Sequence, residues 1–228
     1  MIKEYIVFIT SLRKEKGVSQ SKIADVIGIS RTSYIDVEKG KRELNVSELE
    51  KLANFFGVST EQILSGRSSN YEKYKQMVLF CIRSGSSGDG KIPKTKLAKL
   101  IYLSDFAWFY DNFKSISGME YRKINYGPVP DSYFRAIEEL FEEGQIEIET
   151  TDSGAMLISE TRGGKKVILS LLKKDEQKLM ENVAKKWKSK KTSEIVSFTH
   201  GQLPYFLCRD NEIIPYELIT QEDPENVY

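Results

Sequence analysis

Residues 20–37 read QSKIADVIGISRTSYIDV, and this stretch decides the fold of the first part of the chain. Ala24 leaves room for a second helix to cross the first, and Gly28 suits a left-handed residue that ends the first helix. Ser30 opens the second half. Tyr34 and Val37 are three apart and point inward together, which leaves Arg31, Thr32, Ile35, Asp36 and Lys39 facing outward. A small domain that gives up one polar helix face in this way usually lays it in the major groove of DNA.

The flanking chain supports the same reading. Four helix starts share one signature: an apolar residue, a capping residue, and a second apolar residue five positions after the first. They are Val18-Ser19 with Ile23, Ile29-Ser30 with Tyr34, Leu44-Asn45 with Leu49, and Val58-Ser59 with Ile63. Glu48 adds a capping-box partner for Asn45, and Gln62 one for Ser59. Upstream, Tyr5, Phe8, Ile9 and Leu12 recur at helical spacing until Gly17 stops the run. Residues 1–66 are therefore expected to form five short helices in one mainly α domain.

This segment resembles the Cro/C1-type (Xre-like) helix-turn-helix DNA-binding domains. The likeness rests on Ser19-Gln20, Ala24, Gly28, Ser30, the run Val37-Glu38-Lys39-Gly40-Lys41-Arg42, and the run from Leu52 to Ser59. It implies a homodimer on double-stranded operator DNA, with half-sites about 34 Å apart. By the same likeness, Gln20 and Ser33 touch phosphates or buttress the helix, Arg31 and Thr32 reach bases, and Lys39, Lys41 and Arg42 anchor the following loop on the DNA backbone. An arginine fork on guanine discriminates by about 1–3 kcal/mol, whereas a lysine on phosphate carries no sequence information. Asp36 is awkward beside phosphate. It is either an acceptor for cytosine or the ion-pair partner of a neighbouring lysine or arginine.

Composition bounds the rest. In 228 residues, 34 Lys plus Arg balance 33 Asp plus Glu, so no global basic field drives nucleic-acid binding and any affinity must come from a local cluster such as Arg31 to Arg42. Cys81 and Cys208 lack paired spacing, which argues against a disulfide framework or a zinc site. The first residues run straight into a charged amphipathic helix rather than a leader, and no apolar run approaches the roughly 20 residues of a membrane span. A reducing cytoplasm, with no membrane and no cofactor, is the expected setting.

Gly66-Arg67-Ser68-Ser69-Asn70 reads as a polar linker, and a second unit, 71–228, begins at Tyr71. Helices are expected over 71–83, from Pro93 to about 112, and over 131–143, 175–188 and 193–200. The segment 121–126 should be extended before the turn at Gly127-Pro128-Val129-Pro130, and 146–150 with 156–159 alternate like paired strands. The unit is α+β and helix-dominated.

It too resembles a family, the Panacea (SocA-like) domain of antitoxins. The likeness rests on the run from Lys96 to Asp105, on Tyr126-Gly127-Pro128-Val129, and on His200 with Pro204-Tyr205, where the family often has tryptophan in place of Tyr205. It implies a domain that binds and neutralises a cognate protein toxin encoded beside it. Some relatives instead deliver the toxin to a protease.

The helix after Pro93 carries two apolar stripes: Leu97, Leu100, Ile101 and Trp108, and then Tyr102, Phe106, Phe109 and Phe113. Such a helix is either buried on both sides or leaves part of its aromatic stripe exposed as a docking surface. On the second reading Tyr102, Phe106 and Phe109, with the rigid Tyr126-Gly127-Pro128 turn, are the partner-binding candidates. The 131–143 helix should turn Phe134, Ile137, Leu140 and Phe141 to one side. His200, the sole histidine, makes neither a zinc site nor a triad and reads as a structural hydrogen-bonding residue. The lysines from Lys185 to Lys191 around Trp187 read as a solvated helix end, with an auxiliary phosphate contact as the alternative. Gly85 to Lys91 fits the first seven positions of a P-loop, but Ile92 supplies no hydroxyl for magnesium and Pro93 no amide, so a nucleotide-binding enzyme is not expected. The function this predicts is an antitoxin that regulates its own operon. The alternative is a phage or mobile-element repressor whose second domain dimerises or senses a ligand.

Overall fold

Serine and asparagine caps set the helix starts of the N-terminal unit in the computed structural model, which describes residues 4–56, 58, 60–65 and 70–228. Its helices are α1 (Glu4–Glu15), α2 (Gln20–Ile27), α3 (Arg31–Glu38), α4 (Val46–Phe56) and α5 (Thr60–Ser65). The Ser19 hydroxyl accepts from Lys22 N, and the Ser30 hydroxyl from Ser33 N. Asn45 and Glu48 exchange the two bonds of a capping box at α4. The matching expectation for Ser59 and Gln62 lies outside the described residues and side chains. Ile9, Ile23, Ile27, Tyr34, Val37, Leu52 and Ile63 are almost wholly buried and make the core. Lys16 donates to Phe56 O at 2.8 Å and so closes the end of α4.

The chain divides into two units, Met1–Ser69 and Asn70–Tyr228. Of the expected linker, 66–69 lie outside the described residues, and Asn70 caps α6 by accepting from Lys73 N.

In the second unit α7 (Lys94–Asn112) is the axis, packed by α6 (Tyr71–Gly85), α9 (Lys174–Trp187) and α10 (Thr192–Gly201). α8 (Ser132–Glu142) and α11 (Leu203–Leu207) complete its α-helices among the described residues. β4 (Ile146–Thr150) and β5 (Met156–Glu160) form the expected hairpin, with Ile148 opposite Ile158. A third strand, β1 (Lys91–Pro93), adds to β5 with Ile92 opposite Ile158, giving the antiparallel order β1-β5-β4. The Gly/Ser segment read as a loose connection is thus a closed turn leading into a strand. Its Ser87 N donates to Lys91 O, Gly90 N donates to Ser87 O, and Lys91 pairs with Glu149. β2 (Tyr121–Arg122) and β3 (Val129–Pro130) pair across the Tyr-Gly-Pro turn, so the extended stretch is shorter than the sequence suggests.

Helix α7 is buried on both faces. Tyr102 and Phe106 are fully buried and Phe109 is nearly so. Phe106 stacks on Tyr216 at 4.4 Å between ring centroids, and Tyr102 and Phe106 meet Tyr121 edge-on. The docking role expected of Tyr102, Phe106 and Phe109 is corrected accordingly. The 3-10 helix Tyr216–Gln221, from a part of the sequence with no apolar periodicity, covers that face. Phe113, last of the stripe, is exposed. On α8 the buried side is Tyr133, Ala136, Ile137 and Leu140, whereas Phe134 and Phe141 are exposed.

Candidate functional site

Gly28 adopts φ +81° and its N–H returns to Ala24 O at 2.9 Å, so α2 ends in one residue and α3 crosses it. The far end of α3 is held by an ion pair that the sequence does not announce. Arg13 of α1 donates from Nε to Glu38 Oε1 at 2.6 Å and from a second nitrogen to Oε2 at 3.2 Å, a two-point fork. Gln20 donates to the same Oε2 at 2.7 Å. Burial raises the Glu38 pKa, but the bonds from Arg13 and Gln20 outweigh it and hold the carboxyl below its usual value. Of the two roles implied for Gln20, the structure displays buttressing.

On the outward face, Arg31, Thr32, Lys39 and Lys41 are exposed. None of the three cations has an ion pair among the described residues. Ser30 and Ser33 bond each other, hydroxyl to hydroxyl, at 2.9 Å as part of the α3 cap. The Asp36 carbonyl accepts from Lys41 N and Arg42 N, and among the described residues no lysine or arginine closes on its carboxylate. Arg42 departs from expectation. It donates to Glu48 Oε1 at 2.6 Å, which holds the Glu48 carboxyl low, and its Nη1 is buried. Arg42 thus braces the α4 cap. The sequence assigns Glu48 to Asn45 alone, although the carboxylate has an oxygen for each.

In the second unit the three separated segments of the Panacea likeness converge. Gly127 adopts φ +92°, and a Cβ built on it would sit 2.7 Å from Lys99 Nζ and 3.0 Å from His200 Nε2. Lys99 is fully buried, donates to Pro128 O at 3.2 Å, and is pushed down to about 7 by burial. Burial also lowers the His200 pKa, helped by the nearby charges of Lys99 and Lys123. The His200 ring lies parallel on Tyr205 at 4.3 Å, and Tyr205 donates its hydroxyl to Ile124 O at 3.0 Å. His200 therefore packs, but its buried Nε2 has no hydrogen-bond partner among the described residues, contrary to the expected structural bond. Tyr126 is exposed, as a docking residue requires, while Pro128 is buried and contributes its carbonyl. The sequence does not single out Lys99, because the apolar stripes on either side of it dominate the helix.

Two other buried charges of α7, Asp105 and Lys96, are bonded inside the fold. Asp105 accepts from Ile116 N, Ser117 N, the Ser117 hydroxyl, Tyr121 and Tyr216, and is fully buried. Lys96 donates to Lys188 O and Lys190 O, closing the end of α9 inside the lysine-rich segment. Among the described residues no acidic, histidine and cysteine group is arranged to hold a metal ion, and no helix is long and apolar enough to cross a membrane.

Residues 9–63 match the helix-turn-helix family, and residues 97–204 match the family described as antitoxin SocA-like, Panacea domain. A prophage-derived uncharacterized HTH-type transcriptional regulator of Bacillus subtilis is 42% identical over 60 residues, 26% of this chain and 56% of the relative. The CTXphi transcriptional repressor RstR of Vibrio cholerae is 34% identical over 71 residues, 31% of this chain and 64% of the relative. Control protein C.MunI of a Mycoplasma species is 38% identical over 55 residues, 24% of this chain and 74% of the relative. The chain thus spans somewhat more than half the length of the first two of these. No solved structure matches. The chain belongs to the helix-turn-helix transcriptional regulators and carries behind that domain an antitoxin SocA-like, Panacea domain.

Proposed function

We propose that the chain is an antitoxin that neutralises a protein toxin through residues 71–228 and represses its own operon as a dimer through residues 1–66. The observation that carries the DNA half is α3. Its rear is fixed by Tyr34, Val37 and the Arg13–Glu38–Gln20 bonds, while Arg31, Thr32, Lys39 and Lys41 stand exposed with no ion pair among the described residues. A helix pre-set in this way meets the major groove with little left to order. Arg31 and Thr32 read bases, Lys39 and Lys41 contact phosphate, Ser30 and Ser33 are close enough to the helix start to share a phosphate, and Asp36 is an acceptor for cytosine. The neutralising half rests on the Panacea match and on the exposed Tyr126 beside the Lys99–Gly127–His200 cluster.

Two of the relatives are a prophage regulator and a phage repressor, which favours as second reading a mobile-element repressor whose C-terminal domain dimerises or senses a ligand. Co-expression separates the two. The reading frame beside this gene is induced alone and with the full chain. Growth arrest relieved by the full chain, and relieved equally by an Arg31→Ala chain with weakened operator binding, is the expected result. A harmless neighbour, or relief that requires Arg31, overturns neutralisation by the C-terminal domain and leaves the repressor.

A further inference from the structure

One apolar side chain of the N-terminal unit is out of place. Tyr5, Val18, Val26, Ile29, Leu44 and Val58 are partly buried, and each packs against the core. Ile35 is partly buried as well, yet it takes no part in that packing among the described residues. It lies on the outward side of α3, away from the buried Tyr34 and Val37. On a helix the neighbours of a side chain stand three and four positions away. For Ile35 these are Arg31 and Thr32 one turn before it, and Glu38 and Lys39 one turn after it. Its surroundings are therefore polar.

A branched Cβ lowers helix propensity, and here no core contact offsets the loss. Single apolar residues on a surface are common and carry no meaning by themselves. What distinguishes Ile35 is its place. It stands in the middle of the face whose rear is fixed by Tyr34, Val37 and the bonds of Glu38, with Arg31, Thr32 and Lys39 exposed around it. The groups that base edges offer in the major groove are hydrogen-bond donors and acceptors, with one exception, the C5 methyl of thymine. That methyl is the group an apolar side chain can match.

We propose that Ile35 reads a thymine of the operator by packing against its C5 methyl. The assignment rests on the DNA-reading half of the proposed function, and adds to it one residue and one base. Four residues of helix rise about 6 Å, and stacked base pairs are about 3.4 Å apart, so the thymine lies about two base pairs from the base that Arg31 contacts. Ile35 has no side-chain donor or acceptor, so it senses the methyl and not the polar pattern of the pair.

The test isolates that methyl. The full chain selects binding sites from a random-sequence duplex DNA library. Each enriched thymine is then replaced by deoxyuridine, which removes the C5 methyl and keeps every hydrogen-bonding group. One thymine per half-site is expected to matter, its replacement weakening wild-type binding by about fourfold, the worth of one buried methyl. The same replacement should leave Ile35→Ala binding unchanged, and Ile35→Val should keep part of the effect. The unfolding midpoint of Ile35→Ala should not fall, because alanine is the better helix former. A fall would make Ile35 a structural residue and overturn the contact. An enriched site at which no deoxyuridine weakens the wild-type chain also overturns it, and leaves the DNA-reading domain standing. A deoxyuridine effect that persists in Ile35→Ala belongs to another side chain, such as the methyl of Thr32, and overturns Ile35. If no sequence is enriched at all, the DNA reading itself falls and the contact falls with it.

Discussion

Helices α3 and α7 dispose of their charges in opposite ways. α3 and the turn after it keep Arg31, Lys39 and Lys41 outside, with no ion pair among the described residues, and α3 puts one acidic residue, Glu38, under tight internal control. α7 buries Lys96, Lys99 and Asp105, and it does so unequally. Asp105 is surrounded by five donors, whereas Lys99, six residues earlier and equally buried, has one acceptor. The difference teaches where to look for function in each unit. On a surface helix, free charge is cheap and becomes informative only as a pattern. Inside a core a charge must be satisfied or it is there for something else.

The comparison can be broken most severely at Asp105. Asp105→Ala strands the Tyr121 hydroxyl and two backbone amides in the core, so chemical denaturation should show a loss of about 3–5 kcal/mol. Lys99→Met should be neutral or stabilising at pH 7, because it replaces an uncompensated charge by an apolar chain of similar length. Equal losses at the two sites would mean that Lys99 is as well satisfied as Asp105.

The pH dependence of stability sharpens the contrast. The folded Lys99 value, about 7, lies below its unfolded value of 10.5, so between the two the unfolded chain binds the extra proton. Stability must therefore rise with pH across that window and gain nothing further above it. A tenfold difference in proton affinity between the folded and unfolded chains is worth about 1.4 kcal/mol, so the rise should reach a few kcal/mol relative to Lys99→Met. Chemical denaturation of both proteins at a series of pH values across the window measures it. Parallel curves for the two proteins would contradict the uncompensated lysine.

Smaller effects are expected at the surface. Arg31→Ala should weaken operator binding by about 1–3 kcal/mol and flatten preference at one base position, with the unfolding midpoint unchanged. A matching loss of stability would instead make Arg31 structural. Ser30→Ala removes the cap of α3 and should cost about 1 kcal/mol in denaturation, with a proportionate effect on DNA affinity only where the helix frays.

The two units are not equally legible in sequence. The staples and caps around Ser19, Ser30 and Asn45 are local, spanning five residues or fewer, and the structure holds the three caps as expected. What escapes there is long-range: Arg13 reaching 25 residues to Glu38, and Arg42 sharing Glu48 with Asn45. In the second unit, periodicity locates the helices but not their neighbours. The face of Tyr102, Phe106 and Phe109 is closed by a segment more than 100 residues later, and Phe134 and Phe141 face outward although an apolar stripe joins them to Ile137 and Leu140. Strand β1 has three residues, one of them proline, too few to alternate. Lys99 and His200 meet only through the backbone of Gly127, a juxtaposition for which no spacing rule exists.

The bond from Arg42 to Glu48 reaches further than the α4 cap. A phosphate contact displaces condensed counterions from DNA, and each such contact steepens the fall of log affinity with log salt by about 0.9. On the proposed reading, with Arg42 and Arg13 paired inside the domain and Arg31 given to a base, Lys39 and Lys41 would be the loop's phosphate ligands. That is a slope of about −2 per subunit. Such a regulator would hold its operator through swings of intracellular potassium that strip more heavily charged binders from theirs.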